Sequence, residues 1–311
     1  MQLDKTAIVI AQRSAVDIID LSLMVMRTYA SSIVLFTVLG VAPFALLNLL
    51  LAIPLLQYDS LATESIWYSS PWIYRIRYYL VATGAVFLQA PLALSLVTNF
   101  IGQSVFVERQ SASQVGRAVL GQWRQVFTIL GLLRLGLVSY LPLVLMCLAP
   151  EFVPQIEVTI YLLGMVGMTY LVRAFRPFSP EILVLEKSQL FVDKKKADKG
   201  TSQSYRKRSA WLYSAQYNDN FGIHLILSLI GAATVLALFS GALFVSGVVF
   251  GKWESGLVMD AIIYPICLWA VASWMTVLRF LFYMNSRIRS EGWEIELRFK
   301  AEAERWKESI A

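Results

Sequence analysis

The sequence predicts an all-α, polytopic membrane protein: six transmembrane helices in three pseudo-repeated hairpins, with interfacial amphipathic helices. Composition, segment length and an internal recurrence predict it. Of 311 residues, 57% are hydrophobic and only 15% charged, outside the range of ordinary soluble domains. Six mostly apolar segments lie near 31–56, 79–103, 126–149, 157–178, 221–250 and 257–284. Each is long enough to cross a hydrocarbon core about 30 Å thick at about 1.5 Å rise per residue. None alternates strictly as a barrel strand would, and backbone polar groups cannot stay unpaired in lipid, so all six are expected as helices. The stretch Phe36-Thr37-Val38-Leu39-Gly40 recurs almost letter for letter as Phe127-Thr128-Ile129-Leu130-Gly131 and loosely as Leu227-Ser228-Leu229-Ile230-Gly231. Each copy lies in the first half of an apolar segment that a second one follows back, the mark of an internal repeat forming a single membrane domain over 1–311.

Basic residues set the orientation. Most of the 27 Lys and Arg belong to the N-terminus, the second and fourth connections or the tail; the other connections hold only Arg75, Arg77 and Lys252, and Arg134 and Arg279 fall within spans. The positive-inside rule then places both termini in the cytoplasm, at a bacterial inner membrane. The net charge of +6 is a topology signal, with anionic lipid as the expected partner and nucleic acid not expected. Asp17 and Asp20 stand where a cleaved leader needs an apolar core, so the first span is expected to be its own anchor. Cys147 and Cys267 fall within spans and read as free thiols.

Taken in order, residues 1–30 form a cytoplasmic amphipathic element, helical over 8–28, where Arg13, Asp17, Asp20 and Arg27 keep helical spacing. It either lies in the interface or packs on the bundle. Pro43, Pro54, Pro91, Pro142 and Pro265 predict kinks, but no matched pair of short broken helices is visible, which favours a static bundle over a transporter. The connection 57–78 carries Tyr58, Trp67, Tyr68, Trp72, Tyr74 and Tyr78, an aromatic belt at headgroup level. Ser111 to Arg124 and the run from Arg208 to Tyr217 repeat the interfacial helix ahead of spans three and five. Arg176-Pro177-Phe178-Ser179-Pro180-Glu181 must end the fourth helix and opens a basic cytoplasmic loop, 179–220. There Lys194, Lys195, Lys196, Lys199, Arg206, Lys207 and Arg208 are drawn to anionic lipid by about 1 kcal/mol each, or contact a partner protein. In the fifth span Ala233, Ala237 and Gly241 stand four apart, a close-packing face that places this helix at the bundle centre or an oligomer interface. Replacing Gly241 by Leu is expected to disrupt that packing.

Chemistry is sparse. His224 is the single histidine, and with no partner set it makes neither a triad nor a zinc site. No phosphate-binding loop is present, and the carboxylates Asp59, Glu64, Glu151, Glu157, Glu254 and Asp260 do not have the spacing of a metal cage, so no catalytic residue, metal or cofactor is expected. A charge inside a span needs a partner, a wet cavity or a route to the interface. Arg134 therefore either snorkels to the headgroups or lines a polar cavity with Asn48, Gln89 or Asn99, whereas Arg279, nearer its span's end, is expected to snorkel.

After the last span comes Arg287-Ile288-Arg289-Ser290-Glu291-Gly292-Trp293-Glu294, the start of a tail, 285–311. This run resembles the closing motif of bacterial multipass proteins grouped with the glycerophosphodiester phosphodiesterase membrane domain, and Arg176–Glu181 and Arg206–Ser209 look similar to their cytoplasmic motifs. The resemblance implies a six-pass membrane module; the acid and histidine motifs of the phosphodiesterase barrel have no counterpart, so no catalytic role carries over. The leading expectation is a non-enzymatic scaffold or accessory subunit of an envelope assembly, contacting a partner through 179–220 and 285–311. The alternatives are a small-molecule or lipid transporter with Arg134 in a polar pathway and, more weakly, a membrane-embedded lipid enzyme.

Overall fold

A computed structural model describes residues 12–61, 71–104, 112–148, 155–186, 205–214, 217–253 and 256–291. Among these the chain is entirely helical, without a strand. The helices are α1 (Ala15–Thr28), α2 (Ala30–Leu61), α3 (Pro71–Ala93), α4 (Ser95–Ser104), α5 (Ala112–Leu120), α6 (Trp123–Val126), α7 (Gly136–Leu148), α8 (Gln155–Ala174), α9 (Ser179–Val184), α10 (Tyr205–Ser214), α11 (Tyr217–Phe250) and α12 (Tyr264–Glu291). Two stretches wind as π-helix, Phe127–Leu133 after α6 and Met259–Ile263 ahead of α12.

The long apolar helices mark a membrane-embedded protein. Ala30–Leu50, Phe221–Phe250 and Met259–Ser290 each suffice to cross a bilayer. Two further apolar runs are bent: Tyr78–Ala93 with Ser95–Ser104 by 45°, and Trp123–Leu133 with Gly136–Leu145 by 64°. Counting each bent pair as one span gives up to 5. The place of the expected fourth span is taken by α8, whose run is interrupted by Glu157, Thr159, Gly164, Gly167, Thr169 and Arg173. The second and third spans, each of which carries a proline, both bend.

Each break has a local cause. Pro91 has no N–H to offer the Phe87 carbonyl, and the helix bends just beyond it, at Leu94. In the third span the π-helical stretch ends where the Arg134 amide donates to the Ile129 carbonyl at 3.1 Å, and Leu135 then takes φ = 58°. A left-handed leucine costs about 1–2 kcal/mol, so it persists only where its surroundings hold it.

Packing follows from which faces are crowded. Helix α12 lies against α1, α2, α3, α4 and α11, and α3 against α2, α7, α8 and α12. Their contacting faces carry the buried core residues Leu88, Leu94, Val97, Leu278, Phe280 and Tyr283. Helix α1 starts with a reciprocal cap: the Asp17 amide donates to Ser14 Oγ at 3.3 Å, and the Ser14 amide and hydroxyl donate to the Asp17 carboxylate at 3.2 and 2.7 Å. Those bonds hold the Asp17 carboxyl below its ordinary range. Ile18, Ser22 and Val25 are buried, and Trp274 Nε1 donates to Ser22 Oγ at 2.9 Å. This helix is therefore packed on the bundle, with Val16, Leu23 and Met24 turned outward as an apolar face.

The three recurrent stretches share letters but not backbone. The first and third run in continuous α-helix, the second in the π-helical segment. Their glycines sit at close approaches: a Cβ on Gly40 would run into the Ala93 carbonyl oxygen, one on Gly131 would lie 2.8 Å from Leu137 Cδ1, and one on Gly231 would lie 3.4 Å from Met275 Sδ. The small-residue face of α11 behaves otherwise. Ala233, Ala237 and Gly241 are all exposed, and nothing lies within 4 Å of a Cβ built on Gly241. Within the monomer helix α11 is peripheral, its inner side using the buried Leu227 and Gly231; of the two expected places for the small-residue face, an oligomer interface is the one compatible with that exposure.

The contrast is measurable by thermal unfolding in mild detergent. Gly40→Ala is expected to destabilise the fold by about 1–3 kcal/mol through backbone overpacking, whereas Gly241→Leu leaves the monomer's midpoint unchanged. Equal loss in both would contradict this arrangement.

Candidate functional site

The chemistry gathers where the Pro91 kink, the break in the third span, the end of α8 and the buried helix α9 meet. Arg173 lies in the last turn of α8 and is only 6% exposed. Its Nη1 donates to the Phe87 carbonyl, the acceptor that Pro91 leaves without its helical donor, and its Nη2 donates to the Leu88 carbonyl at 2.8 Å. The guanidinium also lies 4.6 Å from the centre of the Phe87 ring, over its face. Arg134, again 6% exposed, donates from Nη2 at 3.1 Å to the Arg173 carbonyl, an acceptor at a helix C-terminus that also takes the Arg176 amide at 3.2 Å. Gly136 makes the approach feasible: a Cβ there would lie 3.0 Å from the Leu88 carbonyl oxygen and 3.3 Å from Arg173 Nη2.

Helix α9 closes the site. Its six residues are all buried, although the sequence places them in a basic loop. Ile182, Leu183 and Val184 supply the apolar reason, and Glu181, with no exposure at all, pairs with Arg279 Nε at 2.7 Å. Arg279 thus finds a carboxylate within the protein, with 22% of its side chain exposed, in place of the expected reach to the headgroups. Tyr205 from α10 donates to or accepts from Ser179 Oγ at 2.8 Å, and Arg208 grips Glu186 through two bonds of 2.7 and 2.9 Å. Tyr283 donates to the same carboxylate at 2.6 Å. His224 stacks on Tyr170 with ring centres 5.1 Å apart.

Of the residues singled out from sequence, Arg134 belongs to this cluster and does not reach the surface. Asn48 and Gln89 exchange amide bonds at 2.8 and 2.9 Å, with the Tyr140 hydroxyl donating to Asn48 Oδ1 at 3.0 Å. Asn99 donates to the Val115 carbonyl at 3.1 Å and accepts from Gln103 at 2.8 Å, stapling α4 to α5. No bond joins these amides to Arg134 among the described residues. Arg206 and Lys207 are exposed on α10. Lys194, Lys195, Lys196, Lys199 and the tail beyond 291 lie outside the described residues, as do most of the aromatic connection and the side chain of Cys147. Cys267 is free and buried. Among the described residues no His, Cys, Asp and Glu side chains group as metal ligands.

Sequence reading passed over Arg173 and Glu181. A usable signal existed for both: a span proline frees a carbonyl that wants a donor, and an arginine inside a span wants a carboxylate.

A second feature lies on the opposite side of α3. A groove of about 700 Å³ runs between α2, α3 and α12, with Ala42, Ala45, Ala82, Ala85, Ala261 and Ala270 among the residues that make room for it. Its polar groups are few: the Thr37 and Ser273 hydroxyls meet at 2.9 Å, and the Trp269 indole N–H is buried without a partner. At one end Asp260, 3% exposed, accepts from the Tyr79 hydroxyl at 2.6 Å, while the Tyr78 hydroxyl donates to its carbonyl at 2.8 Å.

If Arg173 serves the carbonyl freed by Pro91, the two positions are coupled. Arg173→Met is expected to destabilise the protein by about 2–4 kcal/mol, and in a Pro91→Ala background, where the N–H at 91 returns, by about 1 kcal/mol less. A double-mutant cycle in detergent unfolding checks this; strict additivity would refute it. Compared with family models, curated proteins and solved structures, the chain matches none of them.

Proposed function

We propose that this chain is an integral membrane protein that binds a lipid-like amphiphile by its apolar chain, a lipid carrier or transporter and not an enzyme. The observation that carries the reading is the groove between α2, α3 and α12. Its volume of about 700 Å³ falls in the range of small-molecule sites, and its lining is almost wholly apolar with a few polar groups. In a bilayer the available occupant for such a space is a hydrocarbon chain. Two bent spans support movement as well as binding, because discontinuous helices are tolerated in membranes where neighbours re-satisfy the backbone, and transporters use them. In this reading both termini are cytoplasmic at an inner membrane, α8 adds a sixth crossing, and the hairpins descend from one repeat.

The accessory-subunit reading keeps one observation in its favour. Arg206 and Lys207 are exposed on α10, next to the basic run 194–199, and offer a cationic surface to a partner or to anionic lipid.

Photolabelling decides for the groove. With the full chain in nanodiscs containing a phospholipid whose acyl chain carries a diazirine, label is expected to concentrate on α2 between Val34 and Leu49 and on α12 between Ala261 and Ser273, and Ala85→Trp is expected to remove most of it. Labelling spread evenly over the exposed face of α11, unaffected by Ala85→Trp, would sink the reading.

A further inference from the structure

We propose that the arginine cluster at the break of the third span is a binding site for a phosphate-type oxyanion. The charges do not balance without one. Three buried or half-buried guanidinium groups gather here: Arg134 donates to the Arg173 carbonyl and Arg279 pairs with Glu181, while a fourth, Arg176, is exposed to the surroundings. Arginine cannot shed its proton in a protein, so these charges persist. Glu181 is the one carboxylate bonded to any of them and neutralises a single charge, that of Arg279. Arg134 and Arg173 lie at helix C-termini, each of which offers roughly half a negative charge. About one positive charge is left buried in a medium where isolated charge is strongly disfavoured.

The donors point the same way. The backbone carbonyls occupy Nη atoms of Arg134 and Arg173 but leave both Nε donors, on side chains 94% buried by the exposures already given, without a partner. Arg279 Nη2 and His224 Nε2 are likewise buried and unpartnered, and so is the Tyr170 hydroxyl beside that histidine. Buried guanidinium donors are normally satisfied, and a guanidinium is the group best matched to phosphate oxygens. Glu181 Oε2 is also without a bond, and a protonated oxyanion could donate to it. Arg279, 22% exposed, provides the accessible edge. A residual charge near one fits a phosphodiester headgroup or a monovalent phosphate. The site lies on the α8 side of α3 and is independent of the groove.

The test uses the full chain. Two probes are compared by thermal stability and native mass spectrometry: inorganic phosphate added to protein delipidated into a neutral detergent, and nanodiscs of phosphatidylglycerol against nanodiscs of a neutral glycolipid of the same chain length. Wild type is expected to gain stability with one of them, and Arg134→Gln, which removes the charge and the guanidinium, to bind about tenfold more weakly. Response to phosphatidylglycerol alone assigns a lipid headgroup; response to phosphate in neutral detergent assigns a free oxyanion. No response of wild type to either probe overturns the proposal. So does an equal loss in Arg206→Gln, which would mean surface attraction only. Should Arg134→Gln fail to fold, Arg134→Lys, which keeps the charge but loses the planar fork, carries the same comparison.

Discussion

The interaction on which the rest of this structure depends is the bond from Arg173 to the Phe87 carbonyl. A proline in a membrane-embedded helix removes a donor where no water can substitute, and an unpaired carbonyl there is disfavoured by several kcal/mol. Arg173 supplies the missing donor from α8 and binds the neighbouring Leu88 carbonyl at 2.8 Å with the same fork. That contact fixes α8 against α3 at the bend. It also places a permanent charge inside the bundle, and the surrounding structure is arranged around that charge.

The arrangement explains features that are otherwise unrelated. Arg134 serves the carbonyl of Arg173 and sits at the end of a π-helical turn, so the third span breaks there through a left-handed Leu135 and a glycine that lets α7 approach Leu88. Helix α9 folds inward because its apolar residues have a place in the core and because Glu181 meets Arg279 there. The bidentate grip of Arg208 on Glu186, joined by Tyr283, then holds α10 over the closed end. A set of strong, directional bonds thus pins one side of α3, while the other side faces a groove lined by small apolar residues. The first side gathers charge and the second is apolar, on separate faces of one helix.

At the opposite end of α12, Asp260 sits in a second π-helical turn and is held by Tyr78 and Tyr79 through its carbonyl and carboxylate. The rings of Tyr79, Phe239 and Tyr264 pack at 4.6–5.5 Å around it and join α3, α11 and α12. π-Helical turns recur at functional positions because an extra residue re-aims side chains without ending the helix. Here one turn positions Arg134 and the other buries a carboxylate, so both inserted residues set where charge lies in the bundle.

Apolar length and composition alone determined that the chain is helical and membrane-embedded, since lipid permits few other solutions for its backbone. One local signal was equally readable, the kink at Pro91. The direction in which an apolar helix turns its faces was not readable, because in lipid all sides are alike in chemistry; Ala233, Ala237 and Gly241, expected at the bundle centre or an oligomer interface, are exposed in the monomer. Nor could spacing along the chain reveal that residues from four segments, Phe87, Arg134, Arg173 and Glu181, converge with Arg279. Their meeting depends on two bends and an inward-folded short helix, and only tertiary structure decides where a freed carbonyl finds its donor and a buried charge its partner.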